Sequence, residues 1–263
     1  MAKSLDNVKC FLLDMDGTFY LGNILLEGSL EFIDAVVKSG RDYLFLTNNS
    51  SHNAQHYVKK LAGMGLTVSP EKVLTSGQAT ASKVRKLYPG KKAFVLGNHF
   101  LFEELADGGI EIDQEHPDYV IIGYDTTLDY AKMTAVCDFV RAGLPYVATH
   151  PDFNCPTETG FAPDIGAIIA FIEASTGRRP DLIVGKPYGG IVDAALERTG
   201  LKNEELAMIG DRLYTDIETG LRHNMTSILV MTGETTEEMR LASETKPDLV
   251  YPRLSSMIPE LLK

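Results

Sequence analysis

Two aspartates, Asp14 and Asp16, stand one residue apart directly after the apolar run at residues 10–13. Since Asp and Gly are common turn residues, the pair could belong to an ordinary solvated turn. A calcium-binding EF-hand loop also opens with Asp-x-Asp, but it needs Gly at its sixth position and Glu at its twelfth. Counted from Asp14, those positions hold Phe19 and Leu25, so the calcium loop is excluded.

A catalytic interpretation fits the same two residues. Asp14 would attack an electrophile as a nucleophile, while Asp16 would donate or accept a proton. A carboxylate attacks a phosphate dianion poorly unless charge is neutralised, and a hard, oxygen-preferring cation such as Mg²⁺ provides that neutralisation. Gly17 lets the chain turn away without crowding the reacting centre. The pair therefore indicates a site for metal-assisted chemistry at a phosphoryl group.

Catalytic residues at the end of a strand need a sheet that holds the strand in place. Eight short apolar runs occur at residues 9–13, 42–46, 93–96, 119–122, 146–148, 182–184, 205–209 and 227–230. Segments with helical spacing separate most of them, at residues 30–38, 54–64, 130–142, 165–175 and 191–199. Alternation of helices with fully apolar strands predicts an α/β fold with a parallel sheet.

Ligands of an open parallel sheet bind at the carboxyl ends of its strands. The second apolar run is followed by Thr47, Asn48 and Asn49, whose side chains suit either a helix N-cap or the binding of phosphate oxygens. Lys186 follows the sixth run in the sequence Gly-Lys-Pro. A nucleotide-binding P-loop needs Ser or Thr after this lysine and an earlier Gly, where the chain has Pro187 and Pro180. Lys186 is therefore either a solvated surface lysine or a phosphate ligand.

The seventh run ends in Gly210 and Asp211, with Asp216 five residues later. Asp211 is placed to bind a cation, while Asp216 could orient Asp211, cap the following helix or reach the metal through water. A Gly-Asp pair after a strand is also a common turn. Four strand ends with complementary chemistries favour one shared site over four separate turns.

Composition limits the partners. With 263 residues, a mass of 28.9 kDa and 44% hydrophobic residues, the chain can bury the core of one large domain or two ordinary ones. A net charge of −11 argues against nucleic acid or an anionic membrane surface as a partner, but not against a small phosphorylated substrate held locally.

The apolar runs and the cysteines predict where in the cell the protein is found. No run approaches the roughly 20 residues that span a bilayer, and residues 1–7 carry no signal-peptide pattern. Cys10, Cys137 and Cys155 form no metal-like cluster and are interpreted as reduced thiols. We therefore expect a soluble, cytoplasmic protein.

The four motifs, in this order, resemble those of the haloacid dehalogenase superfamily. Within it they resemble the phosphatase subfamily that includes NagD, the p-nitrophenylphosphatases and the phosphoglycolate and pyridoxal-phosphate phosphatases. The resemblance covers nearly the whole chain. It implies a three-layer, Rossmann-like core with a parallel sheet, plus an inserted α/β cap domain.

The resemblance also implies roles for the motif residues. Asp14 would form an aspartyl-phosphate, and Asp16 would be the general acid and then the general base. Thr47 and Lys186 would hold the phosphoryl group with amides near Asn48 and Asn49. Asp14, the backbone carbonyl of Asp16, and Asp211 would bind Mg²⁺, supported by Asp216.

The spacing of the motifs predicts where in the sequence the cap domain is inserted. Only 31 residues separate Asp16 from Thr47 (47 − 16), whereas 139 separate Thr47 from Lys186 (186 − 47). We therefore predict a core from residues 1–79 and 182–263 and a cap from residues 80–181. This position matches the NagD-like subfamily and disfavours haloalkanoate dehalogenases, phosphonatases and mutases of the β-phosphoglucomutase type.

Within the predicted cap, residues 148–166 resemble the subfamily segment that reads Thr-Asn-Pro-Asp and then Pro-Gly-x-Gly. His150 replaces the usual Asn and Asp164 replaces the usual Gly. By analogy, a loop around Asn154 and Cys155 would cover the leaving group and set specificity.

The expected function is hydrolysis of small phosphomonoesters such as sugar phosphates and nucleoside monophosphates, with p-nitrophenyl phosphate as an artificial substrate. Two alternatives stay open: a phosphotransferase or phosphomutase using the same intermediate, and a non-catalytic sensor of a phosphorylated metabolite. The physiological substrate is not identified by the sequence, and a homodimer through an exposed cap surface is compatible with it.

Overall fold

The structure is a computed structural model that describes residues 3–157 and 160–263. It is an α/β protein that divides into two compact units. The first unit comprises Met1–Thr47, Gln55–Leu74 and Ala195–Lys263, and the second comprises Asn48–Ala54 and Thr75–Ala194. The predicted α/β class is therefore confirmed. The division into a catalytic core and a cap stays a prediction about function.

The described residues form fifteen strands. In chain order they are β1 Cys10–Leu13, β2 Tyr20–Leu21, β3 Ile24–Leu25, β4 Asp42–Thr47, β5 Val73–Thr75, β6 Lys92–Leu96, β7 Glu111–Ile112, β8 Tyr119–Ile122, β9 Tyr146–Ala148, β10 Asn154–Thr157, β11 Gly160–Pro163, β12 Leu182–Ile183, β13 Leu206–Gly210, β14 Thr226–Val230 and β15 Leu249–Tyr251.

Ten α-helices accompany these strands in the described part of the chain. They are α1 Ser29–Lys38, α2 Ala54–Gly63, α3 Ser76–Leu87, α4 His99–Asp107, α5 Tyr130–Arg141, α6 Ile165–Thr176, α7 Gly189–Thr199, α8 Glu218–Arg222, α9 Glu237–Ala242 and α10 Ile258–Leu261. No helix within residues 3–157 and 160–263 has both the length and the apolar character needed to cross a membrane.

The first unit is built on a six-stranded sheet in the order β15-β14-β13-β1-β4-β5. Strand β1 lies inside the sheet and pairs in parallel with β13 on one side and β4 on the other. All four residues of β1 are buried, as expected for a parallel strand covered on both faces. Because Leu13 is opposite both Ile209 and Phe45, the three strands reach their carboxyl ends at nearly the same level.

The second unit has its own sheet, in the order β12-β9-β8-β6-β7, with parallel pairing throughout. Helices α5 and α6 pack against one another, and their buried side chains share an apolar core with β6, β8 and β9. A separate two-stranded antiparallel hairpin joins β10 to β11. In the first unit a smaller hairpin joins β2 to β3 just after the Asp14–Asp16 motif.

Each of the eight predicted apolar runs contains a strand, and each of the five predicted helical segments contains a helix. The sequence did not predict β5, β7, β15, α3, α4, α9 or α10, nor the hairpin strands. Strand β5 has only three residues. Helix α3 buries mainly small residues and so lacks a strong apolar stripe.

Candidate active site

A cluster of three carboxylates lies at the carboxyl end of the first unit's sheet. Asp14 follows β1, Asp211 follows β13, and Asp216 stands five residues after Asp211. Pairing of β1 with β13 brings the first two together, and the Asp14 N–H donates to the carbonyl of Ile209 at 2.9 Å. One carboxylate oxygen from each aspartate lies within 4.8 Å of the others. Asp14 is partly buried, while Asp211 and Asp216 are buried.

Asp216 is positioned by a π-helical turn at Leu213–Ile217, which precedes α8. Leu213 and Ile217 pack with Leu229 of β14 and anchor this turn to the sheet. The backbone N–H of Arg212 donates to Oδ2 of Asp216 at 3.1 Å. Gly210 leaves room for this carboxylate, since a Cβ at that position would lie 2.2 Å from the Asp216 Cγ.

Asp211 is held from two directions. The backbone N–H of Glu234 donates to its Oδ2 at 2.6 Å, and the Thr18 hydroxyl donates to its Oδ1 at 3.4 Å. Gly17 and Gly233 both pass close to the same carboxylate, where an added Cβ would lie 2.5 Å and 2.0 Å from Oδ2. Gly17 also has a φ of +87°, which favours glycine.

The electrostatics of Asp211 are set by burial and by its two acidic neighbours. Burial, together with the neighbouring charges of Asp14 and Asp216, raises the pKa of Asp211 to about 7, against an opposing effect of the Glu234 N–H. Like charges held this close disfavour ionisation unless a cation balances them. The cluster is therefore one in which a divalent cation would favour the fully ionised form.

The donor set also fits a divalent cation. Mg²⁺ binds oxygen ligands at about 2.0–2.1 Å, so two ligand oxygens on one ion are separated by about 4 Å at most. One oxygen from each of the three carboxylates lies within 4.8 Å of the others, a limit close to this span. Asp14, Asp211 and Asp216, three of the four predicted metal residues, are brought together. The carboxylate of Asp16 is not in this cluster, and its predicted metal contact was through the backbone carbonyl.

Asp16 lies in the tight turn between β1 and β2. The N–H of Gly17 donates to the carbonyl of Tyr20 at 2.8 Å and closes this turn. Asp16 is exposed, but surrounding protein still partly desolvates its carboxylate and raises its pKa. The charge of Lys60 counters this effect, and that of Asp14 adds to it. Lys60, in α2, also lies 4.0 Å over the ring of Tyr20.

In the second unit the structure brings together Asn48 and Lys186, both buried. The Asn48 side chain joins the backbone of Lys186 at both ends. Its Oδ1 accepts from the Lys186 N–H at 2.7 Å, and its Nδ2 donates to the Lys186 carbonyl at 3.0 Å. A Cβ on Gly185 would lie 2.6 Å from Oδ1 of Asn48, so this contact requires glycine there.

The remaining predicted residues lie in separate places. Thr47 is the buried last residue of β4 in the first unit. Asn49 accepts hydrogen bonds from the N–H and hydroxyl of Ser51 at 2.8 and 2.7 Å, which orders its loop. Asn154 and Cys155 begin the β10–β11 hairpin, with Asn154 exposed and Cys155 partly buried.

Sequence reasoning missed several neighbours of the carboxylates. Thr18 stands inside the first motif, so its hydroxyl was a detectable signal. Glu234 contacts Asp211 through its backbone, which no side-chain pattern indicates. Arg212 lies beside the motif, with its Nε 3.0 Å from Oε2 of Glu234. Burial would lower the pKa of Arg212, but nearby carboxylates, Asp14 and Asp211 first, raise it above its ordinary value.

Comparisons with known proteins agree with this geometry. A family model described as haloacid dehalogenase-like hydrolase matches residues 11–111, and a HAD-hydrolase-like model matches residues 183–257. The acid sugar phosphatase of Staphylococcus aureus (strain MRSA252) is 38% identical over 256 residues, covering 97% of this chain and 98% of that protein.

Solved structures are similarly close. The 4-nitrophenylphosphatase of Thermotoga maritima superposes with a TM-score of 0.94 at 47% identity, covering 97% of this chain and 98% of the other. NagD from E. coli K-12 gives a TM-score of 0.88 at 33% identity, covering 94% and 97%.

The chain therefore belongs to the haloacid dehalogenase-like hydrolases, and within them to the subfamily of NagD and the p-nitrophenylphosphatases. The membership predicted from the four motifs is confirmed. The protein is accordingly an enzyme of the phosphatase type.

Proposed function

We propose that this enzyme is a Mg²⁺-dependent phosphatase that hydrolyses small phosphomonoesters through an aspartyl-phosphate on Asp14. The observation that carries the proposal is the cluster of Asp14, Asp211 and Asp216, which places a partly exposed carboxylate beside two buried ones. The names of an acid sugar phosphatase and a 4-nitrophenylphosphatase among close relatives support the same reaction.

Asp14, Asp211 and Asp216 would hold the metal ion, with the backbone carbonyl of Asp16. When bound, the ion would supply positive charge that lets an anionic nucleophile approach a phosphoryl group. The protein's part is to hold the three carboxylates in place. Hydrogen bonds from Thr18 and the Glu234 N–H hold Asp211, and one from the Arg212 N–H holds Asp216.

In the first step a carboxylate oxygen of Asp14 forms a bond to phosphorus as the ester P–O bond breaks. Asp16, two residues on, gives its proton to the departing oxygen, so the leaving group departs as an alcohol. In the second step Asp16 takes a proton from water, whose oxygen bonds to phosphorus. The bond between phosphorus and Asp14 then breaks, and the carboxylate is regenerated with free phosphate as product.

Two further assignments rest on the resemblance of the motifs. Thr47 and Lys186 would hold the phosphoryl oxygens, with amides near Asn48 and Asn49. Residues 80–181 would act as the cap, with Asn154 and Cys155 choosing among leaving groups such as sugars and nucleosides.

The decisive experiment measures phosphate release from a panel of phosphomonoesters, including p-nitrophenyl phosphate, with Mg²⁺ and with EDTA. Asp14→Asn should abolish turnover, because an amide cannot form the covalent intermediate, while leaving the fold intact. Asp34→Asn is the matched control, since Asp34 is exposed on α1 and should keep normal activity.

The outcomes separate the parts of the proposal. Release that disappears with EDTA and in Asp14→Asn supports both the metal and the nucleophile. A near-normal rate in Asp14→Asn contradicts the covalent mechanism. Transfer of phosphate to added alcohols instead of water would show a phosphotransferase.

A further inference from the structure

A buried histidine and a buried aspartate face each other in the second unit. His150 follows β9, and Asp164 is the N-cap residue of α6, whose side chain accepts from the Ile165 N–H at 2.7 Å. Nε2 of His150 lies 3.6 Å from Oδ1 of Asp164. The histidine and the aspartate therefore form a buried pair.

A second carboxylate lies on the other side of the imidazole. Nδ1 of His150 is 3.5 Å from Oδ2 of Asp152 and 3.4 Å from the backbone N–H of the same residue. In neutral histidine with its proton on Nε2, the nitrogen that faces Asp164, Nδ1 accepts from the Asp152 N–H. In the doubly protonated imidazolium Nδ1 can only donate, and the Asp152 carboxylate is its acceptor. Protonation of His150 therefore decides which group of Asp152 it binds.

Asp152 connects this histidine to the phosphate-binding lysine of the proposed function. Oδ2 of Asp152, the oxygen that faces His150, also accepts from Nδ2 of Asn48 at 3.1 Å. The same Nδ2 donates to the carbonyl of Lys186, and Oδ1 of Asn48 accepts from the Lys186 N–H. A continuous chain of polar contacts thus runs from His150 through Asp152 and Asn48 to Lys186.

The charges around His150 favour its protonated form. The side chain is fully buried, and burial alone lowers the pKa of an imidazole. The charge of Asp164 and the contact with Asp152 outweigh this effect, against an opposing contribution from Lys186, so the pKa of His150 is raised. Tyr124 lies near Asp164 and stays neutral, since burial raises its pKa to about 12.

We propose that protonated His150 is a positioning residue, which holds Asp152 so that Asn48 fixes the backbone of Lys186 for phosphate binding. The inference rests on the proposed function for the role of Lys186, but not for the coupling itself. As pH rises through the raised pKa, His150 loses its proton and releases the Asp152 carboxylate. Phosphate binding should then weaken on the alkaline side.

The first test follows two signals by NMR between pH 5 and 9 in the full protein. The imidazole of His150 is assigned by its absence in His150→Asn. The backbone amide of Lys186, which donates to Asn48, should titrate with the same midpoint. In Asp164→Asn both midpoints should move to lower pH, because one carboxylate charge is lost while Asn still caps α6.

The second test compares kcat/KM for p-nitrophenyl phosphate. Below the midpoint, His150→Asn should lose about tenfold, the equivalent of one weakened charge-assisted contact. Above the midpoint the two proteins should converge, because neutral histidine supplies no more than asparagine. His116→Asn, the same change at an exposed histidine of the second unit, should match the wild type throughout.

A Lys186 amide that ignores the His150 titration, or a midpoint unchanged in Asp164→Asn, overturns the proposal. So does a loss in His150→Asn that is equal at every pH, since that pattern reports a structural role only. If the NMR coupling holds but no ester is hydrolysed, the proposed function fails while the coupling stands. If His150→Asn does not fold, the titration of the Lys186 amide in the wild type and in Asp164→Asn still tests the proposal.

Discussion

At the scale of single residues, the candidate metal site depends on glycines without a Cβ atom as much as on its carboxylates. Gly17, Gly210 and Gly233 each leave space that Asp211 or Asp216 occupies, and a Cβ at any of them would overlap a carboxylate. The glycines therefore set how closely the three acids can approach.

Gly233→Ala tests this idea without backbone strain, because Gly233 has no positive φ. The new methyl would lie 2.0 Å from Oδ2 of Asp211 and 2.8 Å from its Cβ, so the whole side chain of Asp211 must shift from its place in the cluster. Displacing a metal ligand through its surroundings typically costs about 10- to 100-fold in metal affinity or activity. We expect a loss of this size in the Mg²⁺ dependence of phosphate release.

The matched control is Gly63→Ala. Gly63 ends α2, and a Cβ there meets nothing within 4 Å. This variant should keep the wild-type Mg²⁺ dependence. Equal behaviour of the two alanine variants would show that Asp211 tolerates displacement and that its position is not critical.

At the scale of elements, the inner strands β1 and β13 of the first sheet were predictable because both are fully buried and therefore apolar on both faces. The sequence of β1, Cys-Phe-Leu-Leu, permits no exposed face, and the polar residue after it marks the strand's end. The same logic located Asp211 after β13. Helix α3 escaped prediction because Gly77, Ala79 and Ala81 are buried where a periodic pattern needs large apolar side chains.

The surroundings of Asp216 could not be predicted in the same way. A helix was expected directly after Asp211, but a π-helical turn lies between them, and its wider hydrogen bonding has no sequence signature. The contact of Glu234 with Asp211 is made by backbone that follows β14 and depends on tertiary packing. Local sequence patterns therefore identify the candidate metal-binding aspartates. The contacts that position these aspartates depend on the folded sheet and are not visible in the sequence.

Ile217→Ala tests whether the π-helical turn positions Asp216. Ile217 is fully buried against the sheet, so the truncation should destabilise the protein by about 2–5 kcal/mol in urea unfolding. The loosened turn should also weaken Mg²⁺ affinity.

Leu221→Ala is the control, since Leu221 packs on the same apolar cluster from α8, beyond the turn. It should lose stability while keeping Mg²⁺ affinity, and equal loss of affinity in both variants would contradict a positioning role for the turn.

At the scale of the whole molecule, the three carboxylates should make the stability of the folded protein depend on Mg²⁺ binding. A ligand that binds only the folded state stabilises it by about 2.7 kcal/mol at 100 times its Kd. For a chain of this size we expect Mg²⁺ to raise Tm by about 5–10 °C, measured by calorimetry.

Sodium chloride at matched ionic strength is the required control, because screening a net charge of −11 could stabilise the chain without any specific site. Asp211→Asn should lose most of the Mg²⁺ effect. A rise that sodium chloride reproduces in full would show that the acidic cluster binds no metal with useful affinity.

The position of β1 in its sheet has a consequence for synthesis on the ribosome. Leu13 and its neighbour across the sheet, Ile209 of β13, are separated by 196 residues (209 − 13). At about 5–20 residues per second, translation takes about 10–40 s to cover that distance. During this interval the nascent chain contains β1 and β4 without β13, while residues 75–194 of the second unit are completed. We therefore expect the second unit to fold first, and the apolar β1 to depend on chaperones until the last quarter of the chain emerges.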